Sequence, residues 1–189
     1  MDRIKPYMLN YMKKLKRGPA VIVPKEAGMI ISYTGVGKDS KVVEIGTGSG
    51  FLTIQLARIV KEIITYEKRK EFAEIAEENF KKLNLKNIKL NNKDGFESKE
   101  EDADLFFIDI PNAEEIVELA YSSLKEGGYI GAHCLSIEQG KRLVLECKKK
   151  FSEVHMIENI VREYEVDEIR TRPKHIGIMH TSYLVFARK

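Results

Sequence analysis

The stretch Glu44-Ile45-Gly46-Thr47-Gly48-Ser49-Gly50 decides the reading of this chain. Apolar Val42-Val43 runs into it, and Phe51-Leu52-Thr53-Ile54-Gln55-Leu56-Ala57 leaves it as a helix. Strand, glycine-rich turn and helix in that order let a backbone approach a nucleotide-like ligand closely. Glycines there adopt positive φ and carry no Cβ to obstruct the ligand. The spacing then discriminates between ligands. A dinucleotide fingerprint, G-x-G-x-x-G, would put its third glycine at position 51, which is Phe51. The glycines fall instead at 46, 48 and 50, with Glu44 two residues ahead of the first.

Outward from the turn, apolar strands alternate with helical segments. Strands are expected at 41–45, 62–66, 88–91, 105–108 and 129–133, and helices at 53–60, 70–83, 113–124 and 137–150. Leu105 to Ile108 is almost wholly apolar, as suits a sheet covered on both faces. Gly127-Gly128 is expected to break the chain between a helix and a strand. Two late strands, 153–160 and 181–187, are joined by a basic loop, which suggests a terminal hairpin with one antiparallel strand. Ahead of the turn, 3–17 reads as a short amphipathic helix ended by Gly18-Pro19. A short apolar stretch, 20–23, is then stopped by Pro24, and 27–33 is a helix. The alternation argues for an α/β fold with a parallel, doubly wound sheet.

At 189 residues the chain is expected to form one domain, 1–189, with 1–35 as a helical, substrate-side segment and 36–189 as the core. No apolar run reaches the length of a membrane span, and the first 17 residues are too charged for a signal peptide. Cys134 and Cys147 form no C-x-x-C, so they read as buried thiols in a reducing cytoplasm, with no metal site. The net charge of +3 is modest. Basic clusters at 13–17, 68–70, 148–150 and 170–174 are either solvated faces or, if several share one face, a surface for a polyanion.

Three acidic positions come after strands. Glu67 ends the second strand about twenty residues past the turn, where doubly wound folds place a carboxylate for ribose hydroxyls. Its other reading is a surface acid paired with Lys68 or Arg69. Asp94-Gly95-Phe96 comes after the third strand and is also ordinary turn chemistry. Asp109-Ile110-Pro111-Asn112 comes after the most apolar strand, where a carboxylate faces the ligand crevice; its other reading is a cap for the next helix. Pro111 holds Ile110 extended.

The E-x-G-x-G-x-G pattern resembles motif I of S-adenosylmethionine methyltransferases. That resemblance implies S-adenosylmethionine as the cofactor, with Glu44, Gly46, Thr47, Gly48, Ser49, Gly50, Leu52, Thr53, Glu67, Lys68, Asp94, Gly95 and Asp109 around it. Glu67 is then the ribose acceptor, Asp94 faces the adenine amino group, and Asp109 stands where amino-group methyltransferases carry a D/N-P-P-x loop. It also implies a mainly parallel seven-stranded sheet with an antiparallel last strand.

More of the chain is similar to one family, the tRNA adenine-58 N1-methyltransferases. The shared elements are Arg17-Gly18-Pro19, Pro24-Lys25-Glu26, Gly46 to Thr53, Tyr66-Glu67-Lys68-Arg69, Asp109-Ile110-Pro111, the Gln139 helix and Arg162-Glu163-Tyr164, with Arg172-Pro173 and His180 to Lys189 closing the pattern. The resemblance implies methyl transfer to adenine N1 of tRNA, Asp109 as the catalytic carboxylate, and a homo-oligomer, a tetramer in that family. His180 is either a substrate contact or a structural residue. The chain departs from the pattern at Val23, where the family has Tyr or His, at Glu26 for Asp, at Ala113 for a second proline, and at Ser182 for Gly; little sequence precedes Arg17, where the family carries a small β domain. Two other readings are a small-molecule methyltransferase of the corrinoid-precursor type and a cofactor-binding subunit that takes its RNA affinity from a partner. The corrinoid enzymes usually carry a glycine-rich loop where this chain has Asp-Ile-Pro-Asn.

Overall fold

A computed structural model of the chain describes residues 8–18, 20–175 and 180–189. In chain order its elements are α1 (Pro24–Thr34), β1 (Lys41–Ile45), α2 (Phe51–Ala57), β2 (Glu62–Tyr66), α3 (Lys70–Lys82), β3 (Ile88–Asn91), β4 (Ala103–Ile108), α4 (Val117–Ser123), β5 (Leu124–Cys134), α5 (Ile137–Cys147), β6 (Glu153–Glu158), β7 (Tyr164–Val166), β8 (Thr171–Pro173) and β9 (Tyr183–Arg188). Seven strands form one sheet in the order β3-β2-β1-β4-β5-β9-β6. Neighbours from β3 to β5 pair in parallel, whereas β9 runs antiparallel to both β5 and β6. The doubly wound sheet with an antiparallel last strand is therefore the observed architecture.

Alternation along β4 shows how the sheet is sealed. Phe106 and Ile108 enter one apolar cluster with Val117, Ala120 and Leu143. Leu105 and Phe107 enter the other with Ile22, Ile30 and Leu56. Successive side chains of a strand point to opposite faces, so a near-continuous apolar run feeds two cores at once. Both thiols are free and buried. Among the described residues no helix is long and apolar enough to cross a membrane, and no group of three His, Cys, Asp or Glu is arranged to hold a metal.

Several local expectations are corrected. Pro24 starts α1 rather than merely stopping the stretch before it, because the first helical position needs no backbone N–H. Glu26, three residues after the cap position, accepts from the Val23 N–H at 3.0 Å. The Gly127-Gly128 pair bends β5 without ending it: the strand already begins at Leu124, and its pairing with β4 slips register between Ala103 and Leu105. The helix expected over 113–124 is split into a 3-10 turn, Ala113–Ile116, and α4. The basic loop contains the small hairpin β7–β8. Of the N-terminal helix, residues 1–7 and its expected end at Pro19 lie outside the described residues; within them one 3-10 turn, Met12–Lys14, is present.

Two buried carboxylates tie the sheet together. Glu26 accepts from the hydroxyls of Thr181 and Ser182, the latter at 3.3 Å, with the Lys25 ammonium 3.3 Å away. Two departures from the family pattern, Glu26 and Ser182, are thus in contact. Glu44 on β1 accepts from Thr53 of α2 at 2.6 Å and from Thr65 of β2 at 2.7 Å. Burial is the main cause that lifts the Glu44 carboxyl to about 7; the two hydroxyls work against it, and the charges of Asp109 and Glu67 add to it.

Between the ordinary 4.5 and about 7 the folded chain holds a proton on Glu44 that the unfolded chain releases, so this group removes stability as pH rises through that window. Glu44→Gln accepts the same hydroxyl bonds without titrating. Urea denaturation across this range should show the variant gaining on the wild type as pH rises, with a parallel pair of curves as the contrary result.

Candidate cofactor and acceptor site

The carboxyl ends of β1, β2 and β4 converge on the glycine turn. Gly46 has φ +95°, and a Cβ there would collide with the Asp109 backbone carbonyl, so only glycine fits. The N–H groups of Gly46 and Thr47 both donate to the Tyr66 carbonyl, at 2.9 and 3.1 Å. Asp109 N–H donates to the Ile45 carbonyl at 2.8 Å. Gly50 caps α2 at φ +81°, packed on the Phe80 ring where a Cβ would clash. The turn is thereby locked to both neighbouring strands.

Glu67 is buried at the end of β2, and its carboxylate accepts four hydrogen bonds. Gly48 N–H reaches Oε2 at 2.8 Å, Arg69 N–H reaches Oε1 at 3.0 Å, and the Arg69 guanidinium adds Nε to Oε1 at 2.8 Å and Nη2 to Oε2 at 3.2 Å. Burial pushes this carboxyl up, but the Arg69 and Gly48 hydrogen bonds outweigh it and hold Glu67 below the ordinary range. The guanidinium lies 4.2 Å over the Phe72 ring. Glu67 is paired with Arg69, but as a buried acid rather than a surface one, and it lines a cavity.

Asp109 directly follows β4 and lies beside His133, the penultimate residue of β5. The Ile108–Ala132 register places the next residues of the two strands side by side. His133 Nδ1 lies 3.1 Å from Asp109 Oδ1. Burial alone would lower the His133 pKa; the Asp109 hydrogen bond and charge, with Glu26 beyond, outweigh that and the Lys25 charge and hold it above the ordinary value. Sequence reasoning gave His133 no role. The signal was present, since a polar residue closing the apolar run 129–133 is the same feature that singled out Asp109.

Two cavities meet here and share Gly46, Arg69, Asp109, Ile110 and Pro111. One, of about 330 Å³, adds Glu67, Lys68, Asp94, Gly95 and the exposed Phe96. The other, of about 400 Å³, adds Gly18, Ala20, Gly48, Ser49, Phe72, His133, Ser136, Gln139 and Arg142. Behind the turn a narrow cleft brings in Glu44, Thr47 and Leu52. The hydroxyls of Thr47 and Thr53 point into the protein: Thr47 meets Thr65 at 2.6 Å, and Thr53 meets Glu44. Asp94 accepts from the Phe96 N–H at 3.2 Å. His180 Nδ1 lies 2.5 Å from Glu158 Oε1, and its ring packs on Tyr183.

The residues present fit S-adenosylmethionine. The Ser49 hydroxyl is buried without a partner among the described residues, facing the cleft beside the glycine turn. A backbone cradle closed to any Cβ at Gly46 and an ionised carboxylate at Glu67 stand on either side. The basic clusters divide. Lys16, Arg69, Lys70, Lys149, Lys150, Arg170, Arg172 and Lys174 each pair with an acid, whereas Lys68, on the wall of the 330 Å³ cavity, has no acidic partner among the described residues.

Comparison with known proteins agrees. The family described as "tRNA methyltransferase complex GCD14 subunit" matches residues 12–177. The tRNA (adenine(57)-N(1)/adenine(58)-N(1))-methyltransferase of Methanocaldococcus jannaschii is 32% identical, over 98% of this chain and 77% of that protein. The tRNA (m1A58) methyltransferase of Aquifex aeolicus superposes with a TM-score of 0.89 at 31% identity, over 95% of this chain and 74% of that one. A Thermotoga maritima protein described as a SAM-dependent O-methyltransferase gives 0.91 at 28% identity, over 97% and 71%. The chain belongs to the family of the tRNA methyltransferase complex GCD14 subunit, and it is an S-adenosylmethionine-dependent methyltransferase.

Proposed function

We propose that the chain methylates N1 of an adenine in tRNA, at a position equivalent to 58, and that Asp109 is the catalytic residue. One observation carries this reading. The Asp109 carboxylate stands on the wall shared by the two cavities, with Oδ1 held by His133 and Oδ2 free of hydrogen bonds among the described residues.

The cofactor supplies an electrophilic methyl group when bound. The turn from Gly46 to Gly50, with the Ser49 hydroxyl and the buried Glu44 beneath, holds its amino acid end, with Leu52 and Thr53 fixing α2 behind. Glu67, with Lys68 beside it, holds the ribose; Asp94, Gly95 and Phe96 enclose the adenine. The target base must leave its stack to present N1. Adenine N1 gives its lone pair to the methyl carbon as the carbon–sulfur bond breaks and its electron pair stays on sulfur, so the positive charge passes from the sulfonium to the adenine ring. Asp109 Oδ2 accepts from the exocyclic amine and offsets that charge, in a cavity where such an interaction is strong. Lys68, on the cavity wall, meets phosphates, which makes RNA affinity fall with salt.

Labelled S-adenosylmethionine and unmodified tRNA should give 1-methyladenosine on nucleoside mass analysis. Labelling of another nucleoside, or none with cofactor binding intact, would move the acceptor elsewhere. Asp109→Ala should lower kcat by about 10²–10⁴-fold while sparing cofactor affinity. Loss of both together refutes this division of labour. Glu67→Gln should instead weaken cofactor binding, about ten- to a hundredfold by calorimetry, since it loses charge-assisted hydrogen bonds.

We also infer a homo-oligomer. The hairpin β7–β8 and its approach leave Ile160, Val161, Tyr164, Val166 and Ile169 exposed, Ile169 at 95%. Neighbouring apolar side chains of this kind mark contact surfaces. Sedimentation should give a multiple of 21.7 kDa, and a monomer at micromolar concentration would end this reading.

A further inference from the structure

We infer that His133 is a positioning residue for methyl transfer: its Nδ1–H fixes Asp109 Oδ1, so that Oδ2 is presented to the acceptor. This rests on the reading that Asp109 meets the acceptor base. Three observations converge on it. The β4–β5 register sets the two residues side by side, 3.1 Å apart, on the wall of the 400 Å³ cavity. The imidazole is nearly closed off, with 7% of its side chain exposed, whereas Asp109 shows 36%. The pair is thus a buried donor behind an accessible acceptor. Lastly, Gln139 pins the backbone just past both strands: its Nε2 donates to the Ile110 carbonyl at 2.9 Å, and its Oε1 accepts from the Leu135 N–H at 2.9 Å. With Asp109 N–H on the Ile45 carbonyl, the carboxylate has its backbone and one oxygen held. Positioning of this precision is worth large factors in rate.

A carboxylate oxygen accepts, so the neutral imidazole carries its proton on Nδ1 and leaves Nε2 bare. The charged groups acting on the ring are Asp109 beyond β4 and Lys25 and Glu26 on α1. When the ring gains a second proton, its positive charge sits against the carboxylate that must offset the cationic base. Transfer then slows on the acid side of the His133 titration.

The first experiment needs no acceptor. Imidazole nitrogen NMR of the full chain across pH should show His133 protonated at Nδ1 and titrating above the ordinary histidine range. Asp109→Asn should bring that titration down. A bare Nδ1, or a titration indifferent to Asp109→Asn, overturns the inference. The second experiment reads kcat against pH with tRNA. His133→Ala should lose about ten- to a hundredfold in kcat at unchanged cofactor affinity. His133→Asn places an amide N–H where Nδ1 stands; it should recover much of that rate and lack the acid limb. Wild-type kcat in His133→Ala, or a persisting acid limb in His133→Asn, counts against the role. If the wild type forms no 1-methyladenosine, the acceptor reading fails and the rate arm of this inference fails with it. The imidazole titration still separates a coupled pair from two unrelated side chains.

Discussion

The ligand-facing edge depends on how closely β1 and β4 end against each other. No side chain fits between Gly46 and the Asp109 carbonyl, and the Ile45 carbonyl holds the Asp109 N–H. The turn and the carboxylate to which we assign the cofactor and the acceptor are thus parts of one backbone contact. Strand spacing in a sheet is fixed to fractions of an ångström by its hydrogen bonds. That stiffness is passed directly to the distance between the two halves of the site. Glu44 serves the same contact from beneath, joining β1, β2 and α2 through two threonine hydroxyls.

Glu67 faces a competition. A carboxylate has about four lone-pair positions, and four hydrogen bonds already reach it. Two of them come from the Arg69 guanidinium, half of whose side chain is exposed. In the proposed role, ribose hydroxyls reach Glu67 as that fork withdraws. The buried carboxylate is paired in both situations, which avoids the cost of an isolated charge. On that reading, the share of cofactor affinity owed to Glu67 is the difference between two sets of hydrogen bonds.

What the sequence disclosed and what it concealed have separate physical origins. Strand ends carry their own markers: glycines at 46, 48 and 50, and acids at 67 and 109, stand where apolar runs stop, and the structure brings them to one edge. The family tail was legible as residues but not as contact; that Thr181 and Ser182 bond Glu26 emerges only when β9 packs against α1. His133 stayed hidden because its partner is 24 residues away and meets it only through the β4–β5 register. Pro24 was ambiguous since proline both ends one segment and opens another. The hairpin β7–β8 gave no alternating pattern because its first strand, Tyr164–Val166, buries no side chain.

The insertion of β9 between β5 and β6 bears on how the chain acquires its fold. Five parallel strands can assemble in the order in which they are synthesised, or nearly so. β6 cannot join them: among the described residues its only sheet neighbour is β9, which emerges later by the whole hairpin and its flanks. Until then β5 presents an open edge and β6 has nothing to pair with. Open edges of this kind invite pairing with foreign strands. The edge of the sheet beyond β5 can therefore be completed only once Tyr183–Arg188 has been synthesised.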